Sequence, residues 1–310
     1  MTEKNLLRLN NIHKSYQKIQ ALSGVSLELQ AGQMMALLGH KGAGKTTLMK
    51  IILGMFAADE GNALILGDQP GVHNHAIGYV PENVNFYPTL TGKETLLYFA
   101  QLNGLSKREA NIIADKLLTE VRLDDAKNRA VKQYSKGMKQ RLGLAQALLP
   151  ATTNGKNHIN PSLLILDEPT VGLDPIATAE FYELLANLQL QGCGVIICTH
   201  VLPGIEAYID TALILDHGKV IASGTMDELQ VIAQLPITLT VTTSGEVIAF
   251  NEDLARYQSA DNTLKIPFDR KLDVLKTILT YPSVTDIRVN APMLPEIYQH
   301  FAQVGNADVE

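Results

Sequence analysis

Between Leu37 and Lys50 the chain reads LLGHKGAGKTTLMK. An apolar run gives way to three glycines, a lysine and two threonines, and then to apolar residues at helical spacing. The residues before the glycines, MMALLG, read as a buried strand. Those after them, KTTLMKIILGM, read as a helix. The junction fits G-x-x-x-x-G-K-[ST] at Gly39, Gly44, Lys45 and Thr46. Such a turn needs backbone N–H groups facing an anion, and side chains in the way would prevent that approach. The following helix start adds its partial positive charge. The stretch Gly39, His40, Lys41, Gly42, Ala43, Gly44, Lys45, Thr46 and Thr47 is therefore expected to cradle phosphates. In it, Lys45 reaches the β- and γ-phosphates and Thr46 ligates Mg²⁺. A nucleotide with Mg²⁺ is the ligand this pattern serves.

A Mg²⁺–nucleotide site needs further carboxylate. SLLILDEPTVGLD supplies it: an apolar strand ending in Asp167 and Glu168. Open α/β sheets bind ligands at the C-terminal ends of their strands. Asp167 is expected to hold the metal, directly or through water, and Glu168 to polarise an attacking water as general base. Taken alone, an Asp-Glu pair after a strand would read as a solvated turn. Together with the phosphate loop they read as a hydrolytic site.

The rest of the composition excludes more than it assigns. Net charge is −6, and no Lys/Arg cluster suited to a phosphate backbone occurs, so nucleic acid is not an expected partner. MMALLG and LLILD are too short to cross a bilayer, which takes about 20 apolar residues. The start, MTEKNLLRLN, lacks an apolar signal core. A cytoplasmic protein is expected, with any membrane role exerted through a partner. Cys193 and Cys198 fit no zinc spacing and are expected to be structural. His73 and His75, in GDQPGVHNHAIG, form too short a pair to make a metal site without a third ligand.

Residues 1 to about 235 resemble an ATP-binding-cassette (ABC) ATPase, with its motifs in the expected order. The resemblance implies an α/β P-loop core carrying a helical subdomain. It places Tyr16 against adenine and GYVPEN at the Q-loop, YSKGMKQRLGLAQALL at the signature, Val171–Asp174 at the D-loop and His200 at the switch histidine. It also implies that Ser135 and Gly137, at the start of the signature helix, contact the γ-phosphate held by another protomer. One phosphate loop and one signature per chain then imply a homodimer closing head to tail on two ATP molecules. Two departures stand out. The usual Leu-Ser-Gly-Gly-Gln reads Tyr134, Ser135, Lys136, Gly137, Met138, and the usual Q-loop glutamine is Glu82. A carboxylate at that place can still ligate Mg²⁺ or orient water, but adds negative charge beside the phosphates.

Three stretches, GYVPENVNFYPTLTGKETLLYFA, YSKGMKQRLGLAQALL and THVLPGIEAYID, further resemble the ATPase subunits of Nos-type ABC transporters. That resemblance implies a role in copper-centre assembly of nitrous oxide reductase, with copper or a sulfur species as cargo. Its implied partners are a polytopic NosY-like permease and a NosD-like periplasmic protein, with the ATPase on the cytoplasmic face of the inner membrane. The alternatives are an ATPase of a drug or lipid exporter, or a soluble ABC regulatory module. The short interval between Lys45 and Asp167 leaves no room for the coiled coils of repair and chromosome ATPases.

The expected organisation is an ABC domain over 1–235, its helical subdomain at about 83–150, and a small α+β domain over 236–310. The polar stretch PATTNGKNHIN at 150–160 reads as an exposed loop. In the C-terminal part, ITLTVTT and VTDIRVN read as strands and MLPEIYQHFAQVG as a closing helix. RKLDVLKTILTY reads as a helix presenting Leu272, Leu275, Ile278 and Leu279 on one face.

Overall fold

The computed structural model describes residues 5–149, 161–200, 204–245, 248 and 250–307. The stretch at 150–160 lies outside them. The chain divides into two compact units, Met1–Ile221 and Ala222–Glu310. That division falls ahead of the 235/236 boundary expected from sequence.

The first unit begins with β1 (Asn5–Tyr16) and β2 (Ile19–Gln30), then β3 (Met34–Leu38), α1 (Lys45–Ile52), β4 (Glu60–Ile65) and β5 (Ile77–Val80). Three helices follow: α2 (Gly92–Leu102), α3 (Lys107–Glu120) and α4 (Lys136–Ala147). The chain then returns to β6 (Leu163–Asp167), α5 (Pro175–Leu190), β7 (Gly194–Thr199), β8 (Thr211–Asp216) and β9 (Lys219–Gly224). Strands β2, β1 and β4 make an antiparallel sheet, and a second sheet runs β5-β6-β7-β3-β8-β9. In the latter, β5, β6, β7, β3 and β8 pair parallel.

The parallel strands read as continuous apolar runs because both faces of such a sheet are covered. All five residues of β3 and all six of β7 are buried. Their registers set the site: Leu38 pairs with Thr199 on one side and Ile214 on the other, while Asp167 pairs with Cys198. The C-terminal ends of β6, β7, β3 and β8 therefore lie side by side. Truncating a core side chain such as Leu37, 1 % exposed, would cost about 2–5 kcal/mol and loosen that alignment.

The helices start where local chemistry dictates. Thr91 and Ser106 each form a capping box, with Glu94 and Glu109 at N3. Ser135 caps α4, its Oγ accepting from the Met138 N–H at 3.2 Å. Just before it, Tyr134 is buried and donates its hydroxyl to the Ala126 carbonyl at 2.8 Å. Tyr134 thus fills space inside the helical region, against Gly92. Cys193 and Cys198 are both buried, and burial pushes the Cys193 thiol up to about 12. Such thiols are inert packing groups.

The second unit holds α6 (Met226–Ala233), β10 (Ile237–Thr243), α7 (Glu252–Ala255), β11 (Gln258–Ala260), β12 (Thr263–Ile266), α8 (Lys271–Ile278), β13 (Val284–Asn290) and α9 (Leu294–Ala307). Its antiparallel sheet runs β11-β12-β10-β13. Ile237, Leu239 and Val241, alternate residues of β10, enter its core. The expected face of α8 is corrected here. Val274 and Ile278 are buried, whereas Leu272 and Leu279 are 67 % and 69 % exposed. At 100° per residue, Val274 and Ile278 stack one turn apart, while Leu272 and Leu279 lie a quarter turn or more from Ile278.

Candidate nucleotide site

The phosphate loop leaves the C-terminal end of β3 and enters α1. Glycine is required at its two ends for steric reasons. A Cβ at Gly39 would sit 2.5 Å from the Leu215 carbonyl oxygen. Gly44 has φ +108°, and a Cβ there would lie 2.7 Å from the Ala21 carbonyl oxygen. Gly44 is also the N-cap of α1, and no side chain caps the helix. The first-turn N–H groups are thus offered to a ligand rather than to the protein. Lys45 Nζ donates to the Gly39 carbonyl and, at 3.2 Å, to the His40 carbonyl. The ammonium is held over the loop by groups that anionic oxygens can replace. Thr46 and Thr47 continue the first turn of α1, Thr46 exposed and Thr47 half-buried.

Asp167 ends β6 half-buried, and its carboxyl is pushed up to about 6. Burial is the main cause, followed by the charges of Glu168 and Glu82, with Lys45 opposing them. The structure therefore brings Asp167, Glu168 and Glu82 together near Lys45. Three carboxylates so placed fit a hard divalent cation with oxygen ligands. Thr46, Asp167 and Glu82 could hold Mg²⁺, whose role would be to neutralise phosphate charge.

Glu168 is buried, 8 % exposed, and adopts a left-handed φ of +48°. Its N–H donates to the Cys198 carbonyl at 2.8 Å, which fixes the turn after β6. Three donors hold its carboxylate: Thr199 Oγ1 at 3.0 Å and the His200 N–H at 3.3 Å on Oε2, and His200 Nδ1 at 2.7 Å on Oε1. A carboxylate accepts about four hydrogen bonds, so one direction is left for a water. Since the carboxylate only accepts, Nδ1 carries the proton and donates. The opposite nitrogen, Nε2, belongs to a ring that is 59 % exposed. Thr199 was missed from sequence, although a hydroxyl closing an apolar strand beside His200 was a signal for it.

Other expected residues fall at separate places. Tyr16 ends β1 with its ring 40 % exposed, edge-on to Phe56 at 6.0 Å. Gly137 lies in the first turn of α4, where a Cβ would meet Ala177 Cβ at 3.6 Å, an ordinary contact. The protomer's own packing therefore does not require glycine there. Asp174 caps α5 through the Ala177 N–H at 2.9 Å. Lys136 lies along the turn between them, with Nζ 2.7 Å from where a Gly172 Cβ would stand. His73 pairs with Asp68 at 2.6 Å.

Comparison with known proteins agrees with this geometry. The family profile described as "ABC transporter" matches residues 22–171. An uncharacterized ABC transporter ATP-binding protein of Synechocystis is 37% identical over 217 residues, 69% of this chain and 59% of that protein. The chain thus spans about three fifths of that relative's length. The linearmycin resistance ATP-binding protein LnrL of Bacillus subtilis is 35% identical over 72% of this chain and 70% of its own. The Nod factor export ATP-binding protein I of Rhizobium etli is 35% identical over 71% of this chain and 68% of its own. A solved ATP-binding subunit of an ABC transporter superposes with TM-score 0.62 at 33% identity, covering 73% of this chain and 92% of that one. For cbiO1 of Clostridium perfringens, part of the cbiONQ transporter complex, the TM-score is 0.65 at 24% identity, over 75% of this chain and 95% of that one. This last likeness concerns the fold alone.

Proposed function

Because the chain belongs to the ABC transporter family, as one of its ATP-hydrolysing ATP-binding subunits, we propose that two copies close head to tail on two ATP molecules and so drive a membrane permease. The observation that carries this reading is the Glu168 carboxylate, fixed by Thr199 and His200 beside Asp167. In it, Glu168 takes the proton of the attacking water. Lys45 and the N–H groups of the loop and α1 stabilise the phosphate charge. His200, donating to Glu168 from Nδ1, turns Nε2 to the γ-phosphate, which it can serve as donor when the ring is protonated. Ser135 and Gly137 of the second copy complete each site, and Tyr16 stacks on adenine.

The permease contact is supported by an exposed aromatic group after the Q-loop position. Tyr87 and Tyr98 pack at 5.7 Å between ring centroids, Tyr98 and Phe99 at 5.3 Å, and Phe86 and Phe99 at 6.3 Å. Tyr87 remains 58 % exposed. Tyrosines of this kind suit an interface that is apolar in its middle and wet at its rim. Among the described residues no helix is long and apolar enough to cross a membrane. The permease therefore supplies the membrane path in this reading, with the ATPase on the cytoplasmic face of the inner membrane.

The finer assignment rests on the resemblance of the Q-loop, signature and post-switch stretches to NosF-like ATPases. It makes the partners a NosY-like permease and a NosD-like periplasmic protein, and the task copper-centre assembly of nitrous oxide reductase. A second reading, a drug or lipid exporter, is favoured by the names of two relatives, one of linearmycin resistance and one of Nod factor export. Affinity capture from native membranes decides between them, with Glu168→Gln as bait in ATP and Mg²⁺. A polytopic membrane protein with a periplasmic companion supports the Nos-type reading. A membrane protein alone supports the exporter. Soluble partners alone overturn the transport reading and leave the ATPase chemistry standing.

A further inference from the structure

We propose that His40, Asp216 and His217 form a binding site for a divalent transition-metal ion of the Zn²⁺ and Cu²⁺ class. In the sequence His40 belongs to the phosphate loop. The fold brings it to the turn between β8 and β9, where Asp216 ends one strand and His217 and Gly218 make the bend. Among the described residues, these three form the group of His and carboxylate donors whose ligand atoms all lie within 4.8 Å of one another. His40 Nε2 is 2.8 Å from Asp216 Oδ1, and His217 Nδ1 is 3.0 Å from Asp216 Oδ2. The two imidazole rings lie 4.9 Å apart between centroids.

The orientation of His40 favours a cation over a plain hydrogen bond. Its Nδ1 faces the Lys41 carbonyl at 2.8 Å, so Nδ1 bears the proton. Nε2 then points toward a carboxylate. That atom is shielded from solvent and, although 2.8 Å from Asp216 Oδ1, it does not meet hydrogen-bond geometry with any partner. On a ring protonated at Nδ1 alone, Nε2 presents a lone pair to the carboxylate, and a metal ion between them would remove that repulsion. Metal-bound histidines commonly donate their other ring N–H to a carbonyl in this way, which fixes the ring and its tautomer. Bonds of about 2.0–2.1 Å place tetrahedral donors roughly 3.3 Å apart, so the 2.8 and 3.0 Å pairs would open by a few tenths of an ångström on taking an ion, with all the donors already within 4.8 Å of one another. Two imidazoles and one carboxylate suit Zn²⁺ or Cu²⁺ rather than Mg²⁺. The histidine side chains are 42 % and 60 % exposed, which leaves an entry path and room for water ligands.

The turn is also tied to the phosphate loop. The Gly218 N–H donates to the Ala43 carbonyl at 2.9 Å, and the Ser23 N–H to the Gly218 carbonyl at 2.8 Å. A metal at this site would join the loop to the β8–β9 turn by a second link. The site stands apart from the Thr46, Asp167 and Glu82 donors assigned to Mg²⁺, and it does not depend on the transport reading.

The test is calorimetric titration of metal-stripped full-length protein with Zn²⁺, in excess Mg²⁺ and against a competing chelator of known affinity. His217→Asn is the informative variant, because asparagine tolerates the left-handed φ of +43° at that position. One ion per chain is expected, with affinity falling on the order of 10- to 100-fold or more in His217→Asn. The double variant His73→Asn/His75→Asn should bind as the unmodified chain does, and circular dichroism should report all variants folded. Unchanged affinity in His217→Asn, loss of affinity in the His73/His75 variant, or no Zn²⁺ held against the chelator would overturn the proposal. The cluster would then be an ion pair only.

Discussion

The Glu168 carboxylate and the His200 ring lie 2.7 Å apart, Oε1 to Nδ1, and meet across the ends of two neighbouring strands. The register pairing of Asp167 with Cys198 brings those ends together. Glu168→Gln keeps the shape and can still accept from Thr199, but removes the base. We expect it to bind ATP and form the closed dimer while turnover falls about 10²- to 10⁴-fold. ATPase assays beside size-exclusion chromatography in ATP and Mg²⁺ read both quantities. Turnover near that of the unmodified chain would remove Glu168 from the role of base.

Asp167 gives a pH dependence whose sign follows from its raised carboxyl. Its folded value of about 6 stands above the unfolded value of 3.8. The folded state therefore holds the proton more tightly, and the contribution is stabilising below about 4 and lost as pH rises through about 6. Metal-free protein should lose thermal stability across that window, and Asp167→Asn should flatten this part of the profile. Mg²⁺ needs the ionised form, so its affinity should rise with pH through about 6. Thermal melts from pH 4 to 8, with and without Mg²⁺, test both statements. A profile identical in Asp167→Asn would contradict the burial argument.

Glycines at 44 and 137 should respond oppositely to alanine. Gly44→Ala meets the Ala21 carbonyl and forces φ +108° on a residue with a Cβ, a conformation that costs roughly 1–2 kcal/mol before any clash. It should lower the melting temperature and abolish nucleotide binding. Gly137→Ala meets only ordinary contacts at 3.6 and 3.7 Å. Stability and ATP binding by the isolated protomer should persist, while turnover drops if the start of α4 must approach a phosphate in the dimer. Equal turnover in Gly137→Ala would argue that this approach is looser than proposed.

Much of this site is legible from sequence because phosphate chemistry demands particular residues at fixed spacing. Gly39, Asp167, Glu168 and His200 could be placed at strand ends by the apolar runs beside them, and Gly44 and Lys45 at the start of the helix that follows. What the sequence could not carry was proximity between distant turns. His40 meets Asp216 and His217 only because β3 and β8 pair in parallel. The face of α8 was misread for a different reason. The apolar residues cover an arc of about 160° at 100° per residue, wider than the surface they meet, so the edge holding Val274 and Ile278 is buried while Leu272 and Leu279 at the other edge stay exposed. The strands β11 and β12 were not read at all, being three and four residues long.

Glu82 adds a carboxylate that raises Asp167 further. Replacing it by glutamine removes a charge and keeps an amide oxygen. We expect Glu82→Gln to need more Mg²⁺ for half-maximal rate, because the site loses one of its carboxylate ligands, but to turn over faster once Mg²⁺ is saturating, with ATP affinity little changed. A Mg²⁺ titration of the steady-state rate measures this. Kinetics that match the unmodified chain would make Glu82 a bystander.

The aromatic group at Tyr87 and Tyr98 allows the permease contact to be tested without touching the chemistry. Both rings are exposed, at 58 % and 39 %, and neither lies among the phosphate-loop or carboxylate residues. Removing them should therefore leave folding intact, since exposed side chains contribute little to stability. Interfaces concentrate their energy in a few aromatic anchors, each worth 2 kcal/mol or more when it is central. Tyr87→Ser with Tyr98→Ser should thus weaken capture of the membrane partner by about 30-fold or more, as 1.4 kcal/mol is tenfold. ATP binding by the isolated chain should stay within about twofold of the unmodified protein. Capture at full strength would place the permease on another surface, whereas loss of ATP binding would mean that these rings support the site rather than the partner.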